Sequence, residues 1–163
     1  MRVKAIFLVG VVAFAGCTQA ASAPPSQAPA PTAAPLAMGT FTSHGVAATI
    51  DARGSGANVD GTMTMSDSGD DATVALECSR TTEGGLLMIA GLVTESTFDE
   101  NFPKGHRVGI AFDPGTPVRA VWYVVFPGDA PLERCEAVID ALDGEGDLND
   151  ALEPIAGTVE LHP

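Results

Sequence analysis

The chain has 163 residues, enough for one folded domain with a tail. It carries 8 Lys and Arg against 21 Asp and Glu, a formal charge of −13. A surface that acidic repels phosphate backbones and anionic headgroups, which excludes nucleic acid as a partner and a basic patch as the means of holding a membrane. The three cysteines, Cys17, Cys78 and Cys135, leave one over if two pair. An odd count in an exported chain asks for a separate role for the third.

The amino terminus supplies such a role. Arg2 and Lys4 make a short positive region, and Ala5–Gly16 is an apolar run. That run is shorter than the about 20 residues needed to span a hydrocarbon core. Small residues, Ala15 and Gly16, stand directly before Cys17. The layout is that of a cleaved signal peptide rather than a membrane-spanning helix. Its removal takes away Arg2 and Lys4 and lowers the side-chain charge from −13 to −15.

The stretch Phe14-Ala15-Gly16-Cys17 resembles the bacterial lipobox, with Phe14 where Leu is commonest. The resemblance implies a diacylglycerol on the Cys17 thiol, cleavage before Cys17, and a further acyl group such as palmitate on the new amine. Each buried CH₂ contributes about 0.8 kcal/mol, so two or more chains hold a protein on a membrane stably. Thr18 follows, so the Asp that retains some lipoproteins at an inner membrane is absent. The expected address is the extracytoplasmic face of a cell membrane, reached through the lipid anchor.

Residues 18–37 contain Pro24, Pro25, Pro29, Pro31 and Pro35, many alanines and no charge. Such a segment keeps no helix past its prolines and buries no core. It reads as a solvated tether over residues 17–37, reaching at most roughly 60 Å in polyproline II form.

From residue 38 to 163 the composition changes to alternating runs separated by Gly, Asp, Ser and Pro. Thr40–Ala52 is rich in Thr, Val and Ile, and Val59–Met65 alternates at its end. Ala72–Ser79 places Val74, Leu76 and Cys78 on one face. Leu86–Thr94 is more uniformly apolar, Arg107–Phe112 alternates, and Arg119–Phe126 is apolar on both faces. Ile155–Leu161 closes the series. These are about seven strands with turn signals between them. The expected fold is mainly β, a compact antiparallel β-sandwich or small barrel with one short helix near the C-terminus. Asp67-Ser68-Gly69-Asp70-Asp71 and Glu83-Gly84-Gly85 read as hairpin turns.

The helix is expected where Leu132, Cys135, Val138, Ile139 and Leu142 recur at helical spacing, with Asp129 as a cap and Gly144 as a stop. Cys135 then points at the core, as does the Val74–Leu76–Cys78 face. A Cys78–Cys135 disulfide would close a loop of about 58 residues and stabilise by about 4 kcal/mol. The alternative is two separate buried thiols, which a core tolerates.

Two stretches are similar to small secreted β-domains of actinobacteria: Val74–Cys78 followed by Leu86–Thr94, and the closing Ile155–His162. That family is largely uncharacterised, so the resemblance implies fold and location rather than activity. The chain departs from it at Asp113–Arg119, where an acidic, Gly-rich stretch is expected.

Chemistry-bearing clusters are sparse. The acidic stretch Asp143-Gly-Glu145-Gly-Asp147-Leu-Asn149-Asp150 offers oxygen ligands for calcium at alternate positions. Leu148 and Pro154 stand where an EF-hand loop needs its Gly and closing Glu, so a solvated acidic loop is the plainer reading. The Asp67–Asp71 turn is a weaker candidate of the same kind. His44, His106 and His162 lack metal-ligand spacing, and no cysteine pair is spaced for zinc. Gly54-Ser55-Gly56 lacks the longer serine-elbow frame, and no P-loop is present. Trp122, Tyr123 and Phe126 could form a platform for a sugar or peptide, though a strand apolar on both sides points to the core.

Three functions remain. The first is a non-enzymatic interaction module, anchored outside the cell and binding an envelope protein or wall component, with no cofactor. The second is a ligand- or metal-binding lipoprotein, with calcium the metal to test. The third is a hydrolase of unfamiliar type. The first accounts best for an anchor, a tether and a compact acidic domain.

Overall fold

A computed structural model describes residues 33–98, 101–124, 132–144 and 148–163. Residues 1–32, where a signal peptide, Cys17 and a tether are expected, lie outside the described residues, as do Phe126, Asp129, Glu145 and Asp147.

Nine strands form one antiparallel sheet. They are β1 (Pro35–Ser43), β2 (Val46–Ser55), β3 (Asn58–Asp67), β4 (Asp70–Thr81), β5 (Leu87–Ser96), β6 (Arg107–Asp113), β7 (Arg119–Tyr123), β8 (Glu153–Pro154) and β9 (Ala156–Leu161). Two helices, α1 (Cys135–Gly144) and α2 (Leu148–Ala151), stand between β7 and β8. The sheet order is β8-β7-β6-β5-β4-β3-β2-β1-β9. Strands β1 to β7 therefore form a simple meander. Because β8 and β9 are separated only by Ile155, one terminal segment touches both ends of that meander and curls it into a nearly closed barrel.

The fold class is as expected, and the strand count differs for two reasons. Thr40–Ala52 is not one strand but two. His44 and Gly45 take positive φ values of 49° and 82° and turn the chain between β1 and β2. This is the two-residue hairpin geometry that matches strand twist. The other addition, β8, is too short to show any period. Ser68 and Gly69, with φ of 53° and 100°, make the expected turn between β3 and β4.

The folded body begins earlier than residue 38. Leu36 is buried and Ala37 has no exposed surface, so the last residues assigned to the tether belong to β1. Pro35 is tolerated because it is the first residue of its strand, where no ladder donor is required.

Alternation fills the barrel interior with Phe41, Ile50, Met63, Met65, Ile110 and Phe112. A second apolar cluster lies outside the barrel wall. There Val138, Ile139 and Leu142 of α1 pack on Met88, Ala90 and Ala111. Gly109 on β6 permits this approach, since a Cβ there would sit 2.9 Å from both Val138 and Leu142 side-chain carbons. The part of the wall away from α1 presents hydroxyls. Thr158, Thr40, Thr49, Thr64 and Thr73 stand in one rank across β9, β1, β2, β3 and β4. Cross-strand Thr pairs of this kind stabilise by roughly 0.2–1 kcal/mol each.

The helix buries the expected Cys135, Val138, Ile139 and Leu142 and ends at Gly144, but it begins at Cys135, so Leu132 precedes it. The acidic stretch after it is not wholly loop, because Leu148–Ala151 forms α2 and Leu148 is buried.

Candidate functional site

Cys78 and Cys135 form a disulfide, with Cα atoms 6.0 Å apart and a sequence separation of 57. The pairing is as expected, but the face is not. Leu76 pairs with Gly91 and Cys78 with Ala90, so Glu77 is an extra residue and the ladder shifts between Leu76 and Cys78. A bulge of this kind breaks the alternation. Leu76 stays in the barrel core, while Cys78 turns to the outer cluster and meets Cys135 at the start of α1. Glu77 keeps the outward side that alternation opposite Leu76 gives it, so Glu77 and Cys78 both face out. Arg107 Nε donates to the Glu77 carboxylate at 2.8 Å, and Arg107 Nη1 donates to the Leu132 carbonyl at 2.9 Å. One bulged residue thus anchors the approach to α1 by an ion pair beside the covalent bond.

At the end of the barrel where β1 turns into β2, a small cleft of about 190 Å³ is lined by His44, Val46, Asn101, Phe102, Trp122 and Val124. Trp122 does not offer a free platform. Its ring stacks on Phe41 with centroids 6.0 Å apart, and Phe102 meets it edge-on at 6.1 Å. Its Nε1–H donates to the Ser43 carbonyl at 3.2 Å. The Ser43 hydroxyl, itself buried, reaches the Ala120 carbonyl at 3.4 Å. His44 lies 3.5 Å from a Glu153 carboxylate oxygen. Side chains, not a backbone ladder, therefore join β1 to β7 here. Tyr123 faces the opposite way, against the outer cluster.

The acidic candidates divide. Asp143 and Asn149 line one polar cleft of about 660 Å³ together with Arg80, Glu83 and Asp113. Arg80 donates to Asp140 at 2.8 Å and lies 3.8 Å from Asp143. Asp143 thus already faces a cation. Glu145 and Asp147 fall outside the described residues. Among the described residues no three His, Cys, Asp or Glu side chains converge to hold a metal ion. In the Asp67–Asp71 turn the Ser68 hydroxyl donates to Asp67 at 2.8 Å. The histidines sit apart in the chain's architecture: His44 in the first turn, His106 before β6, and His162 after β9.

Comparison with protein-family models, with curated proteins and with solved structures found no match.

One carboxylate is strongly conditioned by its neighbours. Asp113, at the end of β6, accepts hydrogen bonds from Arg119 and from the Gly115 N–H. Arg119 chiefly holds its carboxyl below the ordinary carboxylate range, and the Gly115 N–H adds to the effect. This pair braces the loop Pro114–Val118 that precedes β7. Sequence spacing carried no sign of it, nor of the Arg107–Glu77 pair. In both cases the partners become neighbours only through the antiparallel ladder.

Proposed function

We propose that the chain is an exported lipoprotein, anchored through Cys17 to the extracytoplasmic face of a membrane, whose barrel is a non-enzymatic binding module. The observation that carries this reading is the Cys78–Cys135 bond. Disulfides persist in oxidising compartments. This one consumes two of the three cysteines and leaves Cys17, directly after Phe14-Ala15-Gly16, with the separate role that lipidation gives it. The filled barrel interior favours recognition on the outer surface and rim over an enclosed ligand. The similarity to small secreted β-domains of actinobacteria belongs to the same proposal.

Mass spectrometry of the native protein tests it. The expected mature N-terminus is Cys17 carrying acyl chains, and Cys17→Ser yields unacylated, soluble protein. An intact Met1 start without fatty chains overturns the anchoring, as does unchanged membrane retention of the Cys17→Ser variant.

A further inference from the structure

The barrel closes incompletely, and the reason lies in four residues. The terminal segment pairs with β7 only at Arg119–Pro154 and Ala120–Glu153, then crosses at Ile155 to pair with β1 through Ala156–Leu161. A full closure would need residues before Arg119 to run beside β9. Val118 continues the pairing by one bond, its carbonyl accepting from the Ile155 N–H at 3.1 Å, and the residues before it are Pro114-Gly115-Thr116-Pro117. Two of them have no N–H to donate, and the Gly115 N–H is already taken by the Asp113 carboxylate. Strand β9 is consequently an edge. Among the described residues its backbone bonds only to β1.

The phase of that edge is fixed. The His162 N–H donates to the Leu36 carbonyl at 2.8 Å, so Leu36–His162 is a hydrogen-bonded pair of the β1–β9 ladder. Hydrogen-bonded and non-hydrogen-bonded pairs alternate in antiparallel sheets. Glu160 and Thr158 therefore point their N–H and C=O groups at β1, whereas Val159 and Leu161 turn theirs to the open side. The residues are exposed or half-buried throughout. The edge bears neither Lys nor Pro within Ala156–Leu161, the usual devices that discourage strand addition.

We infer that the open edge of β9, at Val159 and Leu161, is a strand-addition site for an extended peptide segment of a partner protein that carries basic side chains. Main-chain bonds give such sites their affinity and alternate side chains their selectivity. The charge of the partner follows from this chain. It carries −13 overall, Glu160 stands on the edge itself, and Glu153 is exposed where the segment leaves β7. The arginines Arg53, Arg80, Arg107 and Arg119 are each already held by a carboxylate. A second copy of the chain brings the same surplus of negative charge, which opposes self-pairing. This inference rests on reading the barrel as a binding module and names the class of its partner.

Amide hydrogen exchange on the full-length protein, with and without a short peptide alternating valine and lysine, tests it. The expected result is slowed exchange at Val159 and Leu161 on peptide addition, and no binding of the same peptide with glutamate in place of lysine. Val159→Pro removes an outward N–H without removing a β1 bond, as proline is tolerated on edge strands. It should weaken the peptide by at least about tenfold. If that variant does not fold, the peptide-induced protection in the unaltered chain still decides. Peptide binding without protection at these two amides, or equal binding of the acidic peptide, overturns the inference. So does absence of binding. Protection of the same amides in a peptide-free dimer assigns the edge to a second copy, and protection in a peptide-free monomer assigns it to this chain's own residues; either result also overturns it. Acylated Cys17 in the same preparation with no peptide effect would sink this inference alone and leave the anchoring intact.

Discussion

Replacing Cys78 and Cys135 together by Ala separates the covalent hold on α1 from its apolar packing. The substitution keeps small apolar groups at two buried positions, so little contact area is lost. What is lost is a cross-link over a sequence separation of 57, with Cα atoms 6.0 Å apart. In the chain-entropy picture that constraint contributes about 4 kcal/mol, because the unfolded chain is denied its looser conformations. For a folded body of roughly 130 residues, each kcal/mol moves Tm by about 3–4 °C, giving an expected drop of about 12–16 °C. Thermal unfolding followed by circular dichroism measures it, in parallel with the unaltered protein under reducing conditions. A fall of less than about 3 °C in both experiments would refute the reasoning, since the bond would then not constrain the unfolded ensemble. The outer cluster around Val138, Ile139 and Leu142 should keep α1 docked at room temperature in the variant.

Gly91→Ala and Gly109→Ala should differ in severity. A Cβ at Gly91 would lie 2.2 Å from the Ala75 carbonyl oxygen and 2.8 Å from the Leu76 Cα, both backbone atoms that cannot step aside. At Gly109 the nearest atoms are side-chain carbons of Val138 and Leu142, which can shift, so that variant should cost about 1–3 kcal/mol in denaturant melts and Gly91→Ala clearly more. Glu77→Ala leaves Arg107, mostly buried, without its carboxylate; a loss of about 1–3 kcal/mol is expected, with Glu77→Gln recovering part. The lowered Asp113 pKa fixes the sign of a pH effect: its contribution is fully present above the ordinary carboxylate range and disappears as pH falls through the lowered folded value. Asp113→Asn should therefore flatten the acid limb of a stability-against-pH curve and leave its shape near neutral pH unchanged. Millimolar calcium should leave Tm unmoved, since Asp143 already faces Arg80; a rise would revive the calcium-binding reading.

The alternation of Val108, Ile110 and Phe112 announces its strand in the sequence because each residue has one inward neighbour at period two. The same rule misplaces Cys78, since an inserted residue at Glu77 reverses the phase and no local pattern records an insertion. Thr40–Ala52 reads as one strand because His44 is not a habitual turn residue, although it is among the types that tolerate positive φ. Pro35 suggests tether when only composition is weighed, yet Leu36 beside it is buried next to the terminal segment far along the chain, where its carbonyl accepts from the His162 N–H. The pairing of Cys78 with Cys135 could be expected from count and compartment alone. The ion pair that accompanies it could not, because Glu77 and Arg107 meet only when β4, β5 and β6 stand side by side.

The two weaknesses of the barrel wall are consequences of one another. The terminal segment has to serve β7 first and β1 afterwards, and the step at Ile155 spends its length on crossing between them. Past that step no residue of Pro114-Gly115-Thr116-Pro117 bonds to β9 among the described residues, and two of the four lack an N–H. Beyond Ala120, β7 is paired on one side only, with β6, among the described residues, and side-chain bonds of Ser43 and Trp122 bridge β1 and β7. These two gaps differ in what they leave available. Trp122, packed on Phe41 and Phe102, fills the first with apolar contacts. The second presents bare backbone at Val159 and Leu161. A buried aromatic lock resists entry by another chain, whereas unpaired main-chain donors and acceptors invite it. Of the two, the β9 edge is therefore the one that carries the strand-addition site inferred above.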